Sequence, residues 1–581
     1  MKLTTTITGS ILALAVYGML IHIPAATVEA APPHPGLLQR VAAGEAAAPY
    51  FMSNLDAMRA KGIGVPSANT AAYETSPGRL AKESPGFTGP FKILAILVEF
   101  TDNGSTVEPA FYDSLIFGTE GNTIKDYYSE ISFGQIDLVT VNLPSTTGWR
   151  TAPQTYAYYV NNNNGTGSYP NNTQKLVEDL VDQVDPLVDF GEYDNDGNGS
   201  VDMLLVVHTG TGAEYSGGND DIWSHMWSIS PRYKDGVYIS AFTVQPEYWA
   251  SPGDMTIGVY SHELGHGFGL PDLYDTDYSS TGIGKWGIMS YGSWLGPGGL
   301  GGCPAHFCAW SKIQMGILTP VNISANTYSL AIANAEENPT AYRLWNAGAA
   351  SDEYFLVENR QKIGYDSYLP GSGLLIWHID DIKDGNDEEW YPGLSAAQHY
   401  EVALEQADGI YEMEKDIDNG DAGDPHPGSY ERTSFNALST PNSDTYSGVT
   451  SFVSVEDISA SASTMYADLM VGFSAEADSG DDSEGPSLPA TSELAQNYPN
   501  PFNPTTTITF STTDADRATI EVFNALGEKV ATVFDGFVSQ GITTTTWDGM
   551  NDRGRQVASG VYFYRLKAGE SEQSRKMVLI R

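Results

Sequence analysis

Apolar residues in the first half of this chain gather into dense blocks separated by mixed, helix-like stretches. FKILAILVEFTD (Phe91 to Asp102) and VDMLLVVHTG (Val201 to Gly210) are apolar runs bounded by turn residues, the pattern of buried strands. Between them TIKDYYSEIS (Thr123 to Ser132) predicts a helix and FGQIDLVTVNL (Phe133 to Leu143) a strand. A second helix is predicted over Thr173 to Val184, ending where the residue before Pro186 is pushed out of helical geometry. Strands and helices thus alternate as far as His262, which predicts an α/β domain. Past about Pro320 the runs become strand-sized: YSLAIA, YRLWN, YFLVENR, GLLIWHID and YEVALEQADG predict a mainly β subdomain. From Leu494 onward, LAQNYPNPFNPTTTITF and ATIEVFNALGEKVATVF alternate with period two, and roughly five to seven short strands suggest a small Ig-like β-sandwich.

Composition sets the boundaries between these parts. A chain of 581 residues is too long for one domain. Residues 1–30 read as a signal peptide: Lys2, a mostly apolar run from Ile11 to Ile23, and small residues at Val28-Glu29-Ala30. Residues 31–88 are rich in Ala, Pro and Gly with one helical piece near Leu38 to Lys61, and read as a flexible arm or a propeptide. The α/β domain then spans 89–325 and the β-rich subdomain 326–473. Residues 474–493 are acidic and small, and form a linker to the sandwich at 494–581. The balance of 29 basic against 73 acidic residues, a net charge of −44, argues against a nucleic-acid partner. No other stretch approaches the length of a membrane span, so none is expected in the mature protein. Two cysteines, Cys303 and Cys308, could close a short loop but cannot frame the fold.

The chemistry concentrates in HELGHGFGLPD, from His262 to Asp272. On a helix His262 and His266 lie one turn apart on one face, so both imidazoles can meet one metal ion. Glu263 can reach a water on that metal without ligating it. Gly269 suits a left-handed helix end and Pro271 blocks resumption, so the reversed chain can return Asp272 as third ligand. Asp275 is available as an alternative third ligand. Three protein ligands, an open position and an adjacent carboxylate define a catalytic zinc site. KWGIMSYGSW (Lys285 to Trp294) places Met289 as in the Met-turn beneath the zinc of metzincins, and Tyr291 is spaced like a tyrosine that assists the oxyanion. Paired carboxylates for glycan hydrolysis cannot be picked out.

DIWSHMW (Asp221 to Trp227), GVYSHELGHGFGLPDLYDTD (Gly258 to Asp277), KWGIMSYGSW, YFLVENRQ (Tyr354 to Gln361), LPGSGLLIWHIDD (Leu369 to Asp381) and GDAGDPHPG (Gly420 to Gly428) resemble the secreted bacterial metalloproteases typified by immune inhibitor A. The resemblance covers roughly residues 90 to 473. It implies a metzincin-like α/β zincin that hydrolyses protein or peptide substrates at zinc, exported with a propeptide that covers the active site until it is clipped. QNYPNPFNPTT, the WDGMNDRG turn and SGVYFYRL resemble the C-terminal sorting domain of type IX secretion cargo. That likeness implies the type IX secretion machinery as a partner and a cell-surface or extracellular destination. A generic Ig-like carbohydrate-binding module is the alternative.

Other carboxylates suggest calcium. In DNDGNGSVD, Asp194, Asp196 and Asn198 stand at positions one, three and five of a calcium loop. Ser200 and Asp202 follow as further ligands, but position twelve is Leu205, so the loop is not a complete EF-hand; the alternative is a solvated acidic hairpin. Asp421 and Asp424 are candidates for a structural cation, and His378, beside Asp380 and Asp381, reads as a structural strand histidine before a metal ligand. The expected function is a secreted zinc endopeptidase with Glu263 as general base. The alternative from another class is an inactive surface adhesin or scaffold on the same fold.

Overall fold

The computed structural model describes residues 30–63, 89–472 and, with short gaps, 493–580. The expected signal peptide (except Ala30) and linker (except residue 493) lie outside these. The single helical piece expected near Leu38 to Lys61 is three short helices: α1 (Pro35–Ala42), α2 (Tyr50–Ser53) and α3 (Leu55–Ala60). Gly44, at φ 70°, and Pro49 interrupt what would otherwise be one helix.

Five strands form the first sheet: β1 (Leu94–Glu99), β2 (Arg150–Thr151), β3 (Leu204–His208), β4 (His225–Lys234) and β5 (Val237–Pro246), in spatial order β2-β1-β3-β5-β4. Every pairing is parallel except that of β4 with β5, so β4 is an antiparallel edge strand. The apolar run of β1 is explained by burial on both faces. Leu94, Ile96 and Val98 join one core, and Ala95 and Leu97 join the other. The expected strand from Phe91 to Asp102 is in fact two. Gly89–Lys92 pairs in parallel with Ile136–Val139, and the chain changes partner at Ile93. There the Lys92 amide donates to the Asn195 side chain.

Helices α4 (Ile124–Ile131) and α5 (Thr173–Val184) fall where expected, capped by Thr123 and Asn172. Helix α6 (Gly258–Gly267) carries both histidines and is buried along its length. The expected strand from Phe133 to Leu143 shrinks to Ile136–Val139.

The β-rich part comprises β6 (Val321–Ile323), β7 (Thr327–Ala333), β8 (Tyr342–Leu344), β9 (Glu353–Arg360), β10 (Gly373–Asp380), β11 (Val402–Leu404), β12 (Ser454–Glu456) and β13 (Thr464–Met470). One sheet runs β11-β10-β9-β8-β6 and a smaller one β12-β13-β7. Leu356, Leu375 and Trp377 on the larger sheet share a core with Trp286, Ile288 and Met289, whereas Val357 and Ile376 on its other face pack with Val455 and Leu469 of the smaller sheet. The core therefore crosses residue 325 without a break. Cys303 and Cys308 are both buried free thiols.

The C-terminal region forms two sheets from β14 (Glu493–Leu494), β15 (Thr506–Thr512), β16 (Asp516–Asn524), β17 (Lys529–Val538), β18 (Gly541–Trp547), β19 (Gly560–Ala568) and β20 (Ser571–Leu579). Their orders are β14-β15-β18 and β17-β16-β19-β20, and among the described residues their core draws only on residues after 493.

His378 sits on β10 between two acids. Its Nε2 lies 3.1 Å from Glu353 and its Nδ1 2.9 Å from Glu405, with Tyr446 stacked on the ring at 4.2 Å. Burial opposes its charge, but the hydrogen bonds and charges of the two carboxylates prevail and raise the pKa to about 9. A histidine raised above its unfolded value stabilises the fold fully below pH 6.5, and that contribution is lost as pH rises through 9. Unfolding free energy measured in urea should therefore fall by up to about 3 kcal/mol from pH 6.5 to pH 10. His378→Gln should remove that pH-dependent component.

Candidate metal centre and the segment that covers it

The centre is assembled from the C-terminal half of α6 and the loop after it. Helix α6 ends at Gly267; Gly269 adopts φ 85°, its amide donates to the His266 carbonyl, and the chain turns back. The turn brings Asp272 Oδ1 to 3.0 Å from His262 Nε2 and 3.4 Å from His266 Nε2, while the two Nε2 atoms are 3.2 Å apart. All three residues are buried.

Each imidazole is fixed from behind. His262 Nδ1 donates to the Ile288 carbonyl at 2.8 Å, and His266 Nδ1 donates to the Leu270 carbonyl at 2.9 Å. These bonds select the tautomer that turns both Nε2 lone pairs to one point. Burial works against the Asp272 carboxylate, yet His266 and His262 hold it below the usual carboxylate range. Two imidazole nitrogens and one carboxylate oxygen converging in a buried site fit a divalent zinc-type metal. Asp275 turns elsewhere: it accepts from the Ser279 and Ser280 hydroxyls at 2.8 and 2.6 Å and from the Asp277 amide. Glu263, beside His262 on α6, is fully buried.

Met289 lies directly under the helix. A Cβ added to Gly265 would stand 2.6 Å from the Met289 sulfur, which explains the glycine between the two histidines. The Tyr291 ring packs 6.0 Å from that of Tyr274.

The N-terminal segment enters this centre. Ala30 bridges antiparallel to His225 at the start of β4, and the Ala31 amide donates to the Ser224 carbonyl. The Ala30 amide donates to Asp272 Oδ2 at 2.9 Å. Its carbonyl oxygen lies 3.2 Å from His262 Nε2 and accepts from the Tyr274 hydroxyl at 2.8 Å. Spacing alone did not single out Tyr274; its position two residues after Asp272 was the available signal. Trp223 and Trp294 indoles donate to the carbonyls of Ala31 and Pro32, and His34 packs edge-on against Tyr215 and Trp294.

Farther along, Phe51 stacks on Trp223 at 4.9 Å and its amide donates to the buried Asn164 side chain. Arg59 pairs with Asp387 and donates to Thr276 Oγ1. Ala30, Phe51, Met58 and Ile63 all belong to the core on one face of the first sheet.

In the acidic loop, one oxygen each of Asp194, Asp196 and Asp202 lies within 4.8 Å of the others. Asn198 donates its amide to Asp194 and Asp196, and its side-chain oxygen accepts from the Ser200 amide. Burial raises the Asp202 pKa to about 6, with Asp196 and Asp194 adding to the shift.

Residues 84–317 match the family described as Immune inhibitor A peptidase M6, catalytic domain, a stretch that contains the whole constellation; residues 497–572 match the FlgD Ig-like domain. The matched region and the ligand set support a metalloendopeptidase domain. The chain is 32% identical over 275 residues to Pre-pro-metalloprotease PrtV of Vibrio cholerae serotype O1 (strain M66-2), covering 38% of this chain and 29% of that protein. It is likewise 32% identical over 277 residues to Immune inhibitor A of Bacillus thuringiensis subsp. alesti, covering 38% of this chain and 39% of that one. The chain thus matches well under half the length of these relatives. Dimeric latent PorU from Porphyromonas gingivalis aligns with 21% of this chain and 14% of its own at 15% identity, with a TM-score of 0.15. Among the described residues no helix is long and apolar enough to cross a membrane.

Phe51→Ala should loosen the covering segment selectively. Emptying the stack on Trp223 removes about 3–5 kcal/mol of packing. Amide exchange at Ala31 should accelerate by at least about tenfold, while amides of β1 keep their protection.

Proposed function

We propose that this protein is a zinc endopeptidase held latent by its own N-terminal segment. One observation carries the reading: a peptide carbonyl, that of Ala30, lies against His262 and under the Tyr274 hydroxyl, beside the three candidate ligands. His262, His266 and Asp272 would hold the zinc, which when bound supplies the Lewis acidity that activates water and polarises the scissile carbonyl.

The chain's own groups do the rest. A substrate strand adds antiparallel to the edge of β4, as Ala30 and Ala31 do. Glu263 takes the proton of the attacking water as the carbon–oxygen bond forms. It then delivers that proton to the amide nitrogen as the carbon–nitrogen bond breaks. Tyr274, kept protonated because burial raises its pKa well above the usual range, donates to the developing oxyanion. Spacing pointed to Tyr291 for this task; the contact of Tyr274 with the Ala30 carbonyl favours Tyr274, with Tyr291 packed behind it.

The five parallel and antiparallel strands above α6 and Met289 below it support a metzincin-like catalytic domain. The prosegment in this reading includes Ala30 and runs to about residue 88, so the leader is cut before Ala30, upstream of the boundary expected at residue 30. The relative named Pre-pro-metalloprotease supports a leader and prosegment. The loop from Asp194 to Asp202 takes calcium. The sandwich at 494–581 serves type IX secretion, delivering the enzyme to the surface or medium to act on proteins there. An intact ligand set and base give the inactive-scaffold alternative no support.

Glu263→Gln should retain one zinc per chain and lose about two to four orders of magnitude in peptide hydrolysis once the prosegment is removed. Near-normal turnover with zinc in place would sink the mechanism. Tyr274→Phe should lower kcat by about 10²–10³ with KM little changed, the scale for one oxyanion donor; Tyr291→Phe should do much less.

Ending the chain near Ala490 should leave hydrolysis of a peptide intact but keep the protein inside its host's periplasm. Secretion of the truncated form at the normal level would remove the sorting role.

A further inference from the structure

A second group of acids lies away from the zinc ligands, on the loop after β11. One oxygen each of Asp408, Glu412, Asp421 and Asp424 lies within 4.8 Å of all the others. That is the span across a cation whose oxygen ligands stand about 2.4 Å away. Asp421 and Asp424 stand out in the sequence; Asp408 and Glu412 reach them only through the folded loop.

The side chains are fixed so that oxygens are left over. Asp424 is 1% exposed. Its Oδ2 accepts from the Trp286 indole and the Asp421 amide, both at 2.9 Å, while its buried Oδ1 has no hydrogen-bond partner. Asp408 Oδ1 accepts from the Ile410 amide, and its Oδ2 is buried without a partner, as is Glu412 Oε2. A Cβ on Gly423 would stand 2.7 Å from Asp408 Oδ2 and 2.9 Å from Asp421 Oδ1, so only glycine lets the acids close in.

Among the described residues none of the four forms an ion pair with Lys, Arg or His. Arg432 and Lys415 are near enough only to moderate Asp408 and Glu412. Burial raises the Asp424 pKa to about 7, and Asp408 and Asp421 push it the same way. Carboxylates gathered this closely, with buried oxygens unsatisfied, must either take up protons or share a cation. An all-oxygen set of irregular shape selects a hard ion of calcium's size.

We propose that Asp408, Glu412, Asp421 and Asp424 bind a calcium ion that locks this loop against the floor of the zinc site. The mechanical link is on the backbone. The amides of Thr281 and Lys285 donate to the carbonyls of Met413 and Asn419, and Asp424 holds Trp286. The same stretch leads directly into Ile288, whose carbonyl holds His262. The site stands apart from the catalytic reading: calcium would bind here whether or not the chain cleaves peptides.

The test uses the zinc-saturated full chain carrying Glu263→Gln against self-cleavage and Asp196→Ala to silence the other acidic loop. Calcium is titrated calorimetrically, with magnesium in a parallel titration, and terbium luminescence excited through tryptophan reports a lanthanide beside Trp286. One calcium should bind, raise Tm, and displace the terbium signal. Adding Asp408→Asn with Glu412→Gln should abolish all three effects and speed zinc release to a chelator. Asp421→Asn, which removes one charge and leaves the buried pair in place, should weaken calcium at least about tenfold while the calcium-free Tm stays unchanged, which separates lost binding from misfolding. No calcium bound with the cluster intact, or the same amount bound after the double substitution, would overturn the proposal. Equal affinity for magnesium would overturn its assignment to calcium.

Discussion

Two hydrogen bonds made on the far side of the imidazoles govern this centre. With Nδ1 of His262 held by Ile288 and Nδ1 of His266 held by Leu270, neither ring can rotate and both Nε2 atoms face one point. The Ile288 bond also ties α6 to the turn carrying Met289, and Gly265 leaves room for the Met289 sulfur. That turn is in turn packed on the β-rich sheet: Arg360, fully buried and paired with Asp366 and Glu358, donates to the Trp286 carbonyl at 3.4 Å. A site on one helix is thereby supported by strands far along the chain.

The covering segment solves a different problem. Strand β4 is the open edge of its sheet, with backbone donors and acceptors that need partners. Ala30 and Ala31 satisfy part of that edge, and small side chains let the backbone lie close over His262 and Asp272. Further contacts that hold the segment lie farther along, where Phe51 and Arg59 engage Trp223 and Asp387. The segment is thus held both beside the histidines, where Asp272, Tyr274, Trp223 and Trp294 bond to Ala30, Ala31 and Pro32, and at a distance from them.

His-Glu-x-x-His, the glycine and the aspartate specified their own geometry, because ligands so close in sequence are placed by one helix and one turn. The alternation of buried strands and helices, and the period-two pattern of the sandwich, were likewise legible, since side-chain periodicity is a local property. The choice of Asp272 over Asp275 at the histidines was not, because it depends on how the chain reverses after Gly269 and on serine hydroxyls that claim Asp275. Nor was the hydrogen bond from the Tyr274 hydroxyl to the Ala30 carbonyl, which depends on where that peptide lies in the fold. The grouping of Asp408 and Glu412 with Asp424, and of Glu353 and Glu405 around His378, required strands and loops from different parts of the chain to meet. Spacing in sequence determines what a single element presents; only the packing of elements decides which charges become neighbours in a region that water has left.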